Sequence, residues 1–145
     1  MIKKFFMLSA ALLVLIFSSQ ANAENFKIDY GESKIFSKAD MDFCIEIINE
    51  QLKRSGCTLH VVRYVGDKKS NSRENIKYLN SLAESRNFKK KFSKCLLFET
   101  EYLSPPDPHD GKPTAWNYDT EYKNYMWYFG FYKIDGEWKL LTSGY

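Results

Sequence analysis

In Tyr122-Lys123-Asn124-Tyr125-Met126-Trp127-Tyr128-Phe129-Gly130-Phe131-Tyr132 nearly every side chain is aromatic or apolar. Tyr, Trp and Phe fit the pleated surface of a sheet, so the segment reads as a strand, running on to Ile134. Successive strand residues point to opposite faces. One face therefore carries Tyr125, Trp127, Phe129 and Phe131, and the other Tyr122, Met126, Tyr128 and Tyr132. Asp135-Gly136 follows and then a further strand, Glu137 to Thr142. Asp-Gly is the pair that a two-residue type I′ hairpin turn demands, so the two strands are expected to be antiparallel. A sheet covered by helices on one side alternates apolar with polar residues, and this strand does not. Its second face is thus either buried by another part of the chain or a binding surface, where Tyr and Trp are enriched.

Working back from that strand, Ser104 to Thr120 holds all four prolines and reads as a long irregular loop, the first candidate to cover the second face. Phe92 to Leu103 reads as a strand, with Phe92, Leu96, Phe98 and Tyr102 on one side and Cys95, Leu97 and Leu103 on the other. A helix is expected from Asn71 or Ser72, with Ile76, Leu79 and Ala83 as its apolar stripe and Asn87 as a left-handed end. Cys57 to Val65 alternates as a strand, followed by a Gly66-Asp67 loop. The clearest helix spans about Lys38 to Ser55. Ser37 and Asp40 punctuate its start, Phe36 and Met41 form a hydrophobic staple, and Gly56 takes the left-handed position after its end. Met41, Cys44, Ile45, Ile48 and Leu52 form its buried stripe. The order helix, strand, helix, strand, loop, strand, strand predicts an α+β domain: a curved, mostly antiparallel sheet with two helices on one face. A parallel α/β sheet is the alternative.

The first 23 residues read as a cleavable leader. Lys3 and Lys4 precede an uncharged apolar run from Phe5 to Phe17, and Ala21-Asn22-Ala23 is a small-x-small cleavage site. The expected product is a single domain over 24–145, secreted or periplasmic, with no stable membrane anchor. Of the 21 basic residues against 18 acidic, the leader takes two lysines and no acids; 19 against 18 leaves a net charge of +1. That is no electrostatic footprint for nucleic acid. Lys89-Lys90-Lys91 with Lys94 reads as a solvated turn.

Three cysteines, Cys44, Cys57 and Cys95, lie in a compartment that permits disulfides. Cys57 opens one expected strand and Cys95 lies near the start of another, so a Cys57–Cys95 bridge with a buried, free Cys44 is expected; a Cys44–Cys57 bridge is the alternative.

Chemical motifs are sparse. The chain has no glycine-rich phosphate loop, nucleophile elbow or His-Glu-x-x-His pattern, and no cofactor is expected. Asp107-Pro108-His109-Asp110 carries donor atoms, but its prolines hinder closure around one ion.

Several stretches resemble a group of small exported proteins and lipoproteins of bacteria, mainly firmicutes. They are Tyr30-Gly31-Glu32-Ser33-Lys34-Ile35-Phe36-Ser37-Lys38-Ala39-Asp40-Met41-Asp42, Gly56-Cys57-Thr58-Leu59-His60, Gly66-Asp67, Ala115-Trp116-Asn117-Tyr118-Asp119-Thr120-Glu121-Tyr122, and Gly136 to Tyr145. In that group Cys57 and Cys95 look like the recurrent pair. Ser143, where the group's pattern has tryptophan, and Cys44, where it has a small apolar residue, depart from it. The order of elements is similar to the cone-shaped nuclear-transport-factor-2-like and cystatin-like folds. The resemblance implies export and no defined activity.

The leading expectation is a binding domain for a protein or small ligand, using the aromatic strand and the proline-rich loop through Trp116, Tyr122, Tyr128 and Tyr132. The rival is a small extracytoplasmic enzyme with an acid–base pair drawn from His60, Asp107, His109 or Asp119 in a cone-shaped pocket. A structural envelope protein is a third possibility.

Overall fold

The computed structural model describes residues 25–112 and 117–145; the leader, its cleavage site and Trp116 lie outside the described residues. The chain is α+β, as expected. Its elements are β1 (Lys27–Asp29), α1 (Lys38–Arg54), β2 (Thr58–Tyr64), α2 (Asp67–Ser70), α3 (Arg73–Ser85), β3 (Lys94–Leu103), β4 (Glu121–Tyr132) and β5 (Glu137–Gly144). The strands lie in sequence order in one open sheet. β1 runs parallel to β2, with α1 as the crossover that a parallel pair needs. The other three pairs are antiparallel.

α1 begins where its cap residues dictate. The Ser37 hydroxyl accepts from the Asp40 backbone N–H and the Asp40 carboxylate accepts from the Ser37 N–H, each at 3.1 Å, a complete capping box. Gly56, at φ +73°, turns the chain into β2. α3 starts at Ser72, whose hydroxyl accepts from Asn75 N–H. β1 and α2 were not anticipated. β1 has three residues, too few for a period to register. α2 is a single turn closed by Ser70, a buried residue whose hydroxyl accepts from Leu97 N–H at 2.6 Å and donates to the Cys95 carbonyl at 3.2 Å.

The two long helices divide the sheet between them. Leu96 and Phe98 of β3 pack with α1, Val62 and Phe129; Cys95 and Leu97 pack with Leu79 and Ala83 of α3. Adjacent strand residues point to opposite faces, so α1 covers one face and α3 the other, where both had been expected on one. The reason lies in β3, whose run Cys95-Leu96-Leu97-Phe98 is buried throughout and needs cover on both sides.

Two further expectations are corrected. The hairpin turn has four residues, 133–136, with Tyr132 opposite Glu137 and Gly136 N–H donating to the Tyr132 carbonyl. Gly136 takes the positive φ foreseen for it (+64°), but Asp135 does not, so the turn is not type I′. The Cys57–Cys95 disulfide is not formed, nor is the Cys44–Cys57 alternative; all three cysteines are buried free thiols. Antiparallel register explains the first. Thr58 lies opposite Leu103, so Cys57 sits at the far end of β3 from Cys95. That places the two roughly 25–30 Å apart at the ordinary strand rise, against a bridging limit of about 7 Å between Cα atoms. They also belong to cores on opposite faces.

Candidate functional site

β4 contributes to both cores, and this decides what remains for binding. Trp127 and Phe129 are buried under α1, Met126 and Tyr132 on the α3 side. Tyr128 meets Tyr78 of α3 edge-on at 5.7 Å, and Tyr132, 6% exposed, stacks on Phe92 at 4.3 Å. The cover on this face is α3 and the chain after it, in place of the proline-rich loop. The base of that loop is instead tied across the end of the sheet. Ser104 N–H donates to the Thr120 carbonyl and Asp119 N–H to the Pro105 carbonyl, both at 2.9 Å.

Tyr122 departs from simple alternation. A bulge at Asn124 (φ +56°) sets Tyr125 opposite Thr100 and Tyr122 opposite Tyr102, so Tyr122 and Tyr125 share the α1 face. Tyr122 stacks on Tyr102 at 5.1 Å, and Tyr125 meets Tyr145 edge-on at 5.3 Å. Tyr122 therefore lies on the opposite face from Tyr128 and Tyr132, and the three do not form one surface.

The open feature lies instead along α1 and β5, the edge of the sheet on that side. Ala39, Asp40 and Phe43 of α1 face Gly136, Glu137 and Trp138 across a cavity of about 510 Å³. A second hollow lies on the flank of α1 beside Glu46, Ile47, Glu50 and Arg54. Phe43 lines both hollows and is 49% exposed. Trp138 is held rigidly. Its Nε1–H donates to Asp40 Oδ1 at 3.0 Å, and its ring packs on Phe36 at 5.5 Å and Phe131 at 5.0 Å. Partial burial works to raise the Asp40 pKa. Hydrogen bonds from Trp138 and Ser37, with the nearby Lys94 charge, outweigh it and hold the carboxyl below its ordinary range. The edge is closed to strand addition at one point: Leu141 is bulged, and Arg86 donates to its carbonyl at 2.5 Å.

The residues considered for acid–base chemistry lie at the other end of the sheet, in water. His60 Nδ1 is 3.0 Å from Glu121 Oε1. Asp107 N–H donates to the Asp119 carboxylate, and His109 N–H to the Asp107 carboxylate. The side chains of His60 and His109 are 42% and 86% exposed. Beside them Arg63 bridges Glu101 at 2.7 Å and Glu99 at 3.4 Å. Among the described residues no three His, Cys, Asp or Glu side chains assemble as a metal donor set. Of the lysine cluster, Lys90 pairs with Asp135 and Lys94 lies over the Phe131 ring.

No family model, curated protein or solved structure matches this chain. The site therefore rests on its own geometry. Phe43 and Trp138 carried a signal in the sequence, since Phe43 lies off the buried stripe of α1 and Trp138 sits in the hairpin. Neither was singled out, because the trough exists only once α1 is laid against β5.

Proposed function

We propose that this chain is an exported binding domain that holds a segment of a partner protein in the trough between α1 and β5. The observation that carries the reading is Phe43, half exposed and facing the fixed Trp138 ring across an open cavity. Ile134, by contrast, projects from the hairpin turn and is 93% exposed. Binding energy concentrates on aromatic anchors in desolvated pockets, and a rigid anchor has little conformational freedom to lose on association. Export rests on the basic-then-apolar leader and Ala21-Asn22-Ala23, and on the resemblance to small exported bacterial proteins.

A photo-activated cross-linker placed at position 43, in cells that export the protein, tests the reading against the same group at position 78 on α3. A discrete adduct from 43 and not from 78 is expected. No adduct, or the same one from both positions, overturns it.

A further inference from the structure

We infer that the tip of the β4–β5 hairpin, with the lysine turn beside it, docks the domain reversibly on an anionic lipid surface. This holds whether or not the trough binds a partner. Register places both loops at one end of the sheet. Lys94, at the start of β3, stands opposite Phe131, and Ser93 N–H donates to the Phe131 carbonyl at 3.0 Å. Lys90 then joins the turn before β3 to the hairpin through Asp135. From this joined edge Ile134 projects, the most exposed large apolar side chain among the described residues.

Charge is placed unevenly on a nearly neutral domain. Residues 88–94 and 133–137 carry five lysines against two carboxylates, whereas residues 104–121, beyond the far end of β3, carry four carboxylates against one lysine. Both carboxylates at the hairpin, Asp135 and Glu137, are met by Lys90, and Lys94 lies near Asp40. Among the described residues no carboxylate or ring pairs with Lys89, Lys91 or Lys133, and all three are exposed. Lys89 and Lys91 line, with Lys77 and Lys90, a hollow of about 420 Å³ whose one carboxylate is Glu84. An anionic bilayer attracts basic segments close to its surface and gains from an apolar side chain buried at the headgroup boundary. An exposed isoleucine flanked by unpaired lysines offers both at one point. The same surface repels the acidic far end, so the domain approaches it hairpin first. A soluble polyanion would engage the lysines and leave Ile134 in water, so lipid is the better fit.

The test is co-sedimentation of the purified domain, freed of its leader, with vesicles of phosphatidylcholine alone or with about one-third phosphatidylglycerol. Wild type should bind the anionic vesicles only, and release them at about 1 M salt, where screening shortens to about 3 Å. Ile134→Ser should weaken binding about tenfold, the scale of one buried branched side chain. Ile134→Trp should retain it, since tryptophan suits the headgroup region. Lys89→Glu combined with Lys91→Glu should reduce binding to the level seen with phosphatidylcholine. The three side chains are exposed, so melting temperatures, measured alongside, should stay within a few degrees of wild type. No binding to the anionic vesicles overturns the inference. Binding that Ile134→Ser leaves unchanged overturns it too, and capture of poly-glutamate by the same lysines then assigns the surface to acidic polymers.

Discussion

Gly130→Ala places a single methyl group where the packing leaves no room. Gly130 lies in β4 on the α3 face, and a Cβ there would sit 2.3 Å from Cδ1 of Phe92 and 2.5 Å from its Cγ. Carbon atoms rest at about 3.5–4.0 Å, so the overlap exceeds 1 Å. The Phe92 ring cannot easily withdraw, because it is stacked on Tyr132 at 4.3 Å. Its backbone is also pinned: Phe92 N–H donates to Asn80 Oδ1 at 2.7 Å, and Asn80 Nδ2 donates to the Phe92 carbonyl at 3.0 Å. Overpacking of this kind costs about 1–3 kcal/mol. Replacing a strand glycine by alanine returns about 0.5–1 kcal/mol of backbone entropy. A net loss of about 1–2 kcal/mol should lower the melting temperature by about 4–8 °C. Thermal denaturation measures the single variant. A double-mutant cycle with Phe92→Leu, a side chain with a narrower end, should recover about 1 kcal/mol as coupling. A melting temperature that rises or stays level, or strictly additive losses in the cycle, refutes the close packing of Phe92 over Gly130.

Three further outcomes are expected. Ser70→Ala strands the buried Leu97 N–H and should cost about 1–3 kcal/mol in urea denaturation, whereas Ser70→Thr should cost less if the hydroxyl is what matters. The folded Asp40 carboxyl lies below its unfolded value, so its contribution is fully present above about pH 4 and is lost as pH falls through the lower folded pKa. Stability measured from pH 6 to pH 2 should therefore fall with acid, and less steeply in Asp40→Asn; identical slopes would remove this contribution. Alkylation of the unfolded chain without reductant should modify all three cysteines. In the folded chain Cys95 should react slowly, since burial pushes its thiol up to about 12; a reducible Cys57–Cys95 pair on peptide mapping would contradict the register of β2 and β3.

The local elements could be read from the chain because their signals are local. Ser37, Asp40 and Gly56 punctuate α1 within a turn of its ends, and the long strands carry their own alternation. What escaped depended on distant partners. The apolar second face of β4 left two readings, burial under the proline-rich loop or a binding surface; α3 covers it instead, because the two long helices lie on opposite faces of the sheet. The Asn124 bulge reversed the side of Tyr122, and a one-residue shift of that kind moves every side chain beyond it to the other face. The disulfide expectation failed on the same point. Two cysteines near strand starts lie at opposite ends of an antiparallel pair. The trough was least legible of all, since Phe43 and Trp138 are 95 positions apart in the chain and meet through the Asp40–Trp138 hydrogen bond.

Hydroxyl-radical footprinting of the purified domain, read residue by residue by mass spectrometry, tests the central claim that the aromatic strand is core and the α1–β5 trough is the open aromatic surface. Oxidation should be fast at Phe43 and measurable at Trp138, and slow at Trp127, Phe129 and Tyr132. Tyr132 and Trp127 oxidised as fast as Phe43, with Trp138 protected, would contradict the account and return the binding surface to β4.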